Sequence, residues 1–213
     1  MLNLIYKELR LAAHPTLFAF MLLGGLIIIP SYPYSVVFMF GCLGPFISLY
    51  YARETNDIFY TATLPLQKRD VVKSKCLMLV IAQFGMLLIS IPFAVLRVYI
   101  LPDGNPIGME ANVLFYGFGL LYFSIFNVIF LISYFKTAYK VGKAFMIAIV
   151  PAFMLGLAME ALAYIPNTMW LDSTIAAIMV QQLPILGIGL VVYIATMVIA
   201  YRLSALRFER VDL

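Results

Sequence analysis

Residues 56–75 read NDIFYTATLPLQKRDVVKSK and hold six charged side chains, a proline and a Leu-Pro-Leu turn between two almost wholly apolar stretches. The chain around them has 213 residues, 64% of them hydrophobic and 11% charged, with a mean hydropathy of +1.02. A soluble domain carries roughly 25% charged residues, so this composition cannot furnish a polar surface. Lipid must therefore solvate most side chains, and the charged stretch becomes a connection between membrane spans.

Working outward from it, six apolar segments approach the ~20 residues a helix needs to cross the hydrocarbon core. They are residues 16–30, 34–51, 76–96, 111–135, 144–164 and 183–203. The fold class expected is an all-α polytopic membrane protein, one six-span domain over 16–213. Pro45, Pro92 and Pro151 fall inside spans, where kinks or local unwinding are expected. Alternating the connections places every Lys and Arg except Arg97, out of fourteen, on one side. By the positive-inside rule that side is cytoplasmic, with both termini. The net charge of +4 is then a topology signal, not a nucleic-acid footprint.

Residues 1–15, MLNLIYKELRLAAHP, place Leu2, Ile5, Leu9 and Ala12 on one helical side and Asn3, Lys7, Arg10 and His14 on the other. This pattern predicts a helix lying in the cytoplasmic interface, ended by Pro15. It lacks the cationic start and apolar core of a cleaved signal peptide. Cys42, Cys76 and the single His14 offer neither a disulfide framework nor metal spacing.

The insert over 52–75 is longer than a helix connection requires. Val71 and Val72 oppose Lys68, Arg69 and Lys73, which predicts a short amphipathic helix over LQKRDVVKSK. Such an element fits a docking site, a lipid-surface helix or a solvated loop. Between the last two spans, 165–183 is too polar to span and too apolar for an exposed loop. Bracketed by Pro166 and Pro184 and carrying Trp170, it reads as a re-entrant or interfacial segment.

The run LPLQKRDVVKSK, following Asn56-Asp57 and lying between the second and third spans, resembles a signature of short bacterial ATP-binding-cassette permeases of the type-2 exporter family. Leu64, Pro65, Val71, Val72 and Lys75 match it; Gln67 stands where the family has Ser, and Lys68 where it has Arg. The small members that export amphipathic toxin peptides, of the phenol-soluble modulin type, are similar in size and plan. The resemblance implies that Asp57, Leu64, Pro65, Lys68, Arg69, Asp70, Val71 and Lys73 couple the permease to a cytosolic ATPase. It also implies that the segment around Trp170 forms an outer gate.

No G-x-x-x-x-G-K-[ST] occurs; Gly142-Lys143 is followed by Ala144 and lacks an upstream glycine. No catalytic set or metal site can be assembled, so the chain is expected not to be an enzyme. ATP and magnesium would be handled by a partner ATPase in two copies, beside a second permease, most simply as a homodimer. Small residues at every fourth position of the fifth span, Ala144, Ala148, Ala152 and Gly156, admit a close helix neighbour. That neighbour is a second protomer, the first span through Gly24 and Gly25, or another helix of the same protomer. Glu160, embedded in the same span, would meet cationic cargo or pair with Arg97. Phe38 and Phe46 are candidate pathway residues, suited to hydrophobic or amphipathic cargo such as a peptide. The function expected is the permease of an ATP-driven exporter in a bacterial plasma membrane. An importer's substrate-binding subunit and a membrane scaffold or immunity protein are the rivals, and Gln83, Asn127 and Glu160 are few polar groups for the former.

Overall fold

The computed structural model describes residues 2–30, 32–101, 104–165 and 170–211. All elements in them are helical: α1 (Leu2–Lys7), α2 (Thr16–Leu22), α3 (Val36–Glu54), α4 (Asp57–Ala62), α5 (Lys68–Ile100), α6 (Val113–Phe135), α7 (Val141–Leu162) and α8 (Ala176–Glu209). A π turn, Glu8–Ala12, extends α1, and a 3-10 run, Leu23–Ile28, extends α2. The chain is a polytopic membrane protein. Helices α3, α5, α6, α7 and α8 are long and apolar enough to cross a bilayer, and residues 3–12 and 16–28 form a pair bent by 90°.

The first of the six expected spans is represented only by this bent pair, so the described helices give five spans, or six if the pair counts as one. At ~1.5 Å per α-helical and ~2.0 Å per 3-10 residue, 16–28 reaches about 22 Å, against about 30 Å of hydrocarbon. Its 3-10 half begins where Gly24 and Gly25 weaken α-helix propensity. Gly24 also lies so close to α5 that a Cβ there would be 2.6 Å from the Met86 carbonyl oxygen. Gly25 faces the Phe93 ring. The glycine pair therefore receives α5, not the fifth span.

Helix α6 is the buried axis. Two of its four orphan N–H groups are met at once: Asn112 Oδ1 accepts from Phe115 N at 3.0 Å and Gln182 Oε1 from Leu114 N at 3.2 Å. At its other end Arg207 Nη1 donates to the Ile132 carbonyl, so α6 and α8 run parallel. They touch through glycine, a Cβ on Gly189 falling 2.5 Å from the Gly117 carbonyl oxygen. Helix α7 packs on α6 and α3, and its stripe of Ala144, Ala148, Ala152 and Gly156 is buried there. That stripe is filled within the protomer.

Other expectations are corrected here. Phe38 is fully buried, its ring 4.5 Å from Phe115 and 5.7 Å from Phe123, while Phe46 stacks on Phe145 at 4.2 Å. Both pack between helices of the protomer, Phe38 fully buried and Phe46 partly exposed. Pro45, Pro92 and Pro151 lie inside unbroken helices. No separate helix forms over LQKRDVVKSK, because from Lys68 onward it is the first part of the 33-residue α5. The free-standing short helix is α4, upstream of Leu64-Pro65. Of the segment 165–183, residues 166–169, with Pro166, lie outside the described ones, and residues 176–183 are already the start of α8.

Candidate functional site at the basic end

Helix α4 has six residues, too few to be stable alone. It starts at Asn56, whose left-handed φ of 53° suits asparagine. Its inward face, Asp57, Ile58 and Thr61, is bound by charge. Lys75 Nζ lies 2.7 Å from Asp57 Oδ2 and 2.6 Å from Glu8 Oε2. Lys7 Nζ lies 2.6 Å from Asp57 Oδ1, 3.2 Å from Glu8 Oε1 and 2.8 Å from Thr61 Oγ1. Ser74 Oγ approaches Glu8 Oε1 at 3.4 Å.

Glu8 and Lys75 are almost wholly buried, so this is a two-acid, two-ammonium cluster removed from solvent. Isolated charges there would be prohibitive; paired with hydrogen bonds they are tolerated and fix one geometry. Burial raises the Asp57 carboxyl, but Lys75 and Lys7 more than offset it and hold it below the ordinary aspartate range. The cluster joins three elements: α1 with its π turn, α4, and the base of α5.

The outward face is apolar. Phe59 and Tyr60 are 58% and 64% exposed, and Leu64, Pro65 and Leu66 continue the ridge into the turn. Gln67 then opens α5 with extended backbone and no side-chain cap, in keeping with a missing Ser. Lys68 Nζ donates to the Val211 carbonyl at 2.7 Å and Arg69 Nε lies 2.5 Å from Glu209 Oε1. Both basic residues thus tie the base of α5 to the C-terminal end of α8, where cations suit the helix dipole.

Of the eight residues expected to couple, Leu64, Pro65, Arg69 and Lys73 are exposed, and Asp70 and Lys68 are half-buried. Val71 is buried in the core and Asp57 belongs to the charge cluster. Phe59, Tyr60, Lys7 and Glu8 are not among the expected site residues, and Lys75 enters the expectation only as a match to the family signature. For Glu8 the one signal is an acid on the amphipathic first helix.

The opposite end of the bundle, the far end, holds Arg97. Its Nη1 lies 2.9 Å from Glu110 Oε2 and its Nε donates to the Tyr34 hydroxyl. The expected Glu160–Arg97 pair is not formed. Instead the two Glu160 oxygens accept the backbone N–H groups of Ser35 and Met109, each at 2.7 Å. That carboxylate is saturated by backbone and stitches the entry of α3 to the segment before α6. Trp170 is exposed, and its carbonyl accepts from Gln182 Nε2 at 3.0 Å. Asp172 Oδ1 accepts the Glu110 N–H at 2.6 Å. Burial raises both the Glu110 and Asp172 carboxyls, with Arg97 only partly opposing this.

Mid-span, Gln83 and Asn127 exchange two amide hydrogen bonds of 2.8 Å, and Tyr193 Oη donates to Gln83 Oε1 at 2.8 Å. The described residues hold no cluster of three or more metal-ligating side chains. A family model described as "ABC-2 family transporter protein" matches residues 3–209. No curated protein and no solved structure matches the chain.

Proposed function

Because the chain belongs to the ABC-2 transporter family, a family of membrane transport subunits, we propose that it is the permease of an ATP-driven exporter and that α4 is where a cytosolic ATPase grips it. Permeases of this family generally work with a separate cytosolic ATPase subunit. One observation carries the proposal. A six-residue helix presents Phe59 and Tyr60 outward, with Leu64 exposed in the turn that follows, while Asp57, on its other face, is ion-paired to α1 and α5.

Exposed aromatic residues among basic ones suit a protein partner. A push on α4 reaches Lys75, at the base of a 33-residue helix, through a buried ion pair that holds the lysine side chain in one geometry. The basic end faces the cytoplasm by the positive-inside rule, in a bacterial plasma membrane. ATP and magnesium act in the partner. The working assembly is two permeases, most simply identical, with two ATPase copies, and the cargo is hydrophobic or amphipathic, such as a peptide. The mid-span amides speak against a substrate-capturing importer subunit, since Gln83, Asn127 and Tyr193 satisfy one another.

The test is co-expression with an ATP-binding-cassette ATPase from the same genome, followed by ATP hydrolysis in nanodiscs. Phe59→Asp with Tyr60→Asp should abolish co-purification, and Arg69→Glu with Asp70→Lys should weaken coupled hydrolysis. Unchanged association in the first variant would remove α4 as the docking element.

A further inference from the structure

The far end contains a second built site, independent of the coupling surface. A cavity of about 350 Å³ is lined by Arg97, Asn105, Glu110, Asp172 and Ser173. An apolar groove of about 460 Å³ adjoins it, with Val95, Ala111, Tyr116, Ala176 and Met179 in its walls. The two share Val98 and Thr174, so a polar chamber lies side by side with an apolar one. Each is within the roughly 300–1,000 Å³ typical of small-molecule sites.

The polar chamber is chemically incomplete. Arg97 is 1% exposed, and its Nη2 has no hydrogen-bond partner among the described residues. A buried guanidinium nitrogen left unpaired is costly and calls for an acceptor. The chamber also carries more acid than base, with Glu110 and Asp172 against Arg97. Glu110 is committed to Arg97 and to the Asn105 N–H. Asp172 uses Oδ1 on a backbone N–H, while Oδ2 makes no hydrogen bond among the described residues. An anionic acceptor and a cationic donor would both be satisfied here.

Depth points to the source of such a group. Arg97 lies 29 positions beyond Lys68 on the unbroken α5, about 44 Å at ~1.5 Å per residue. That matches the ~40–45 Å between the two headgroup layers of a bilayer. The chamber therefore sits at headgroup level. The groove runs back along α5 from Val98 to Ile91, about 10 Å toward the acyl chains.

We propose that this site holds a lipid with a zwitterionic ammonium–phosphate headgroup. The phosphate accepts from Arg97 Nη2, the ammonium donates to Asp172, and an acyl chain occupies the groove. Phosphatidylethanolamine brings Asp172 a cationic donor; phosphatidylglycerol offers it only neutral hydroxyls and carries a net negative charge.

The test is native mass spectrometry of the purified full chain, exchanged into equal amounts of phosphatidylethanolamine and phosphatidylglycerol. Wild type should retain the first over the second by about tenfold, the scale of one charge-assisted hydrogen bond. Asp172→Asn should bring that ratio close to one. Ala176→Trp, at an exposed position in the groove wall, should strip both lipids while leaving thermal stability unchanged. Equal retention by wild type, or an undiminished preference in Asp172→Asn, overturns the assignment. So does preferential retention of a cationic amphipathic peptide added in competition, which would make the chamber a peptide subsite.

Discussion

Lys75 is the residue on which the basic end depends. Its ammonium is the shared partner of two carboxylates that are otherwise buried. Lys75→Ala should therefore cost about 3–5 kcal/mol, the usual penalty for uncompensated buried charge. Adding Glu8→Gln should recover part of that loss, because one orphaned carboxylate disappears and Asp57 keeps Lys7. Thermal unfolding of the two single variants and the double variant measures the coupling, and strict additivity would contradict the shared cluster. Asp57 supplies a pH signature. Its folded carboxyl titrates below the ordinary range, so its stabilisation is present at neutral pH and lost as pH falls below about 4. Asp57→Asn should be less stable than wild type at pH 7, with the deficit narrowing on acidification. Glu110 and Asp172 act with opposite sign. Burial raises them, so the stability they favour belongs to their protonated forms and is lost as pH rises through the folded values. The comparison with Asp57→Asn, rather than the wild-type curve alone, isolates the basic end.

At the scale of elements, two interfaces decide how the spans assemble. Helices α6 and α8 meet where Gly189 would place a Cβ 2.5 Å from the Gly117 carbonyl, whereas nothing lies within 4 Å of a Cβ on Gly187. Gly189→Ala must push two helices apart and should cost about 1–3 kcal/mol. Gly187→Ala, two residues away on the same helix, should be neutral or stabilise by up to about 1 kcal/mol. The pair of unfolding midpoints in detergent separates close approach from helix propensity. The second interface is the Gln83–Asn127 amide exchange between α5 and α6, extended to α8 by Tyr193. Replacing Asn127 alone by Leu strands the Gln83 amide and should cost about 1–2 kcal/mol. Replacing both Gln83 and Asn127 by Leu should cost less than either single change, read in the same assay.

For the whole molecule the governing feature is charge asymmetry: the basic end holds the ion cluster and the aromatic ridge, and Arg97 stands at the other. If the basic end is cytoplasmic, a membrane-impermeant maleimide should label Tyr99→Cys in intact cells and Tyr139→Cys only after permeabilisation. Tyr99 and Tyr139 are 81% and 63% exposed, and both native cysteines are buried and should give little background. The inverse pattern would reverse the topology. The same asymmetry links the two ends mechanically. Helix α5 carries Lys75 at its base and Arg97 near its tip, so a displacement at α4 has a rigid route toward the far-end cavity.

Much of this was legible along the chain. Spans, connections and the side of each basic residue follow from local hydropathy and charge, which accumulate residue by residue and need no contact to be read. The break at Leu64-Pro65 was visible too, although its consequence was misplaced. Once past Pro65 nothing interrupts helix formation, so the charged run joined α5 and the short helix formed upstream. What the sequence could not declare is which face of a span turns inward. In lipid both faces are apolar, and periodicity no longer separates core from surface. Hence Phe38 and the alanine stripe of α7, equally plausible facing outward, proved to be packed against α6 and α3. The pairing of Glu8 with Lys75, distant in sequence, likewise exists only because the bent N-terminal helix returns to the base of α5. Composition and charge order determined by themselves that this chain crosses a membrane many times with all of its cations but Arg97 at one end. The tertiary structure alone decided which charges meet, since ion pairing depends on distances of a few ångströms that no linear pattern encodes.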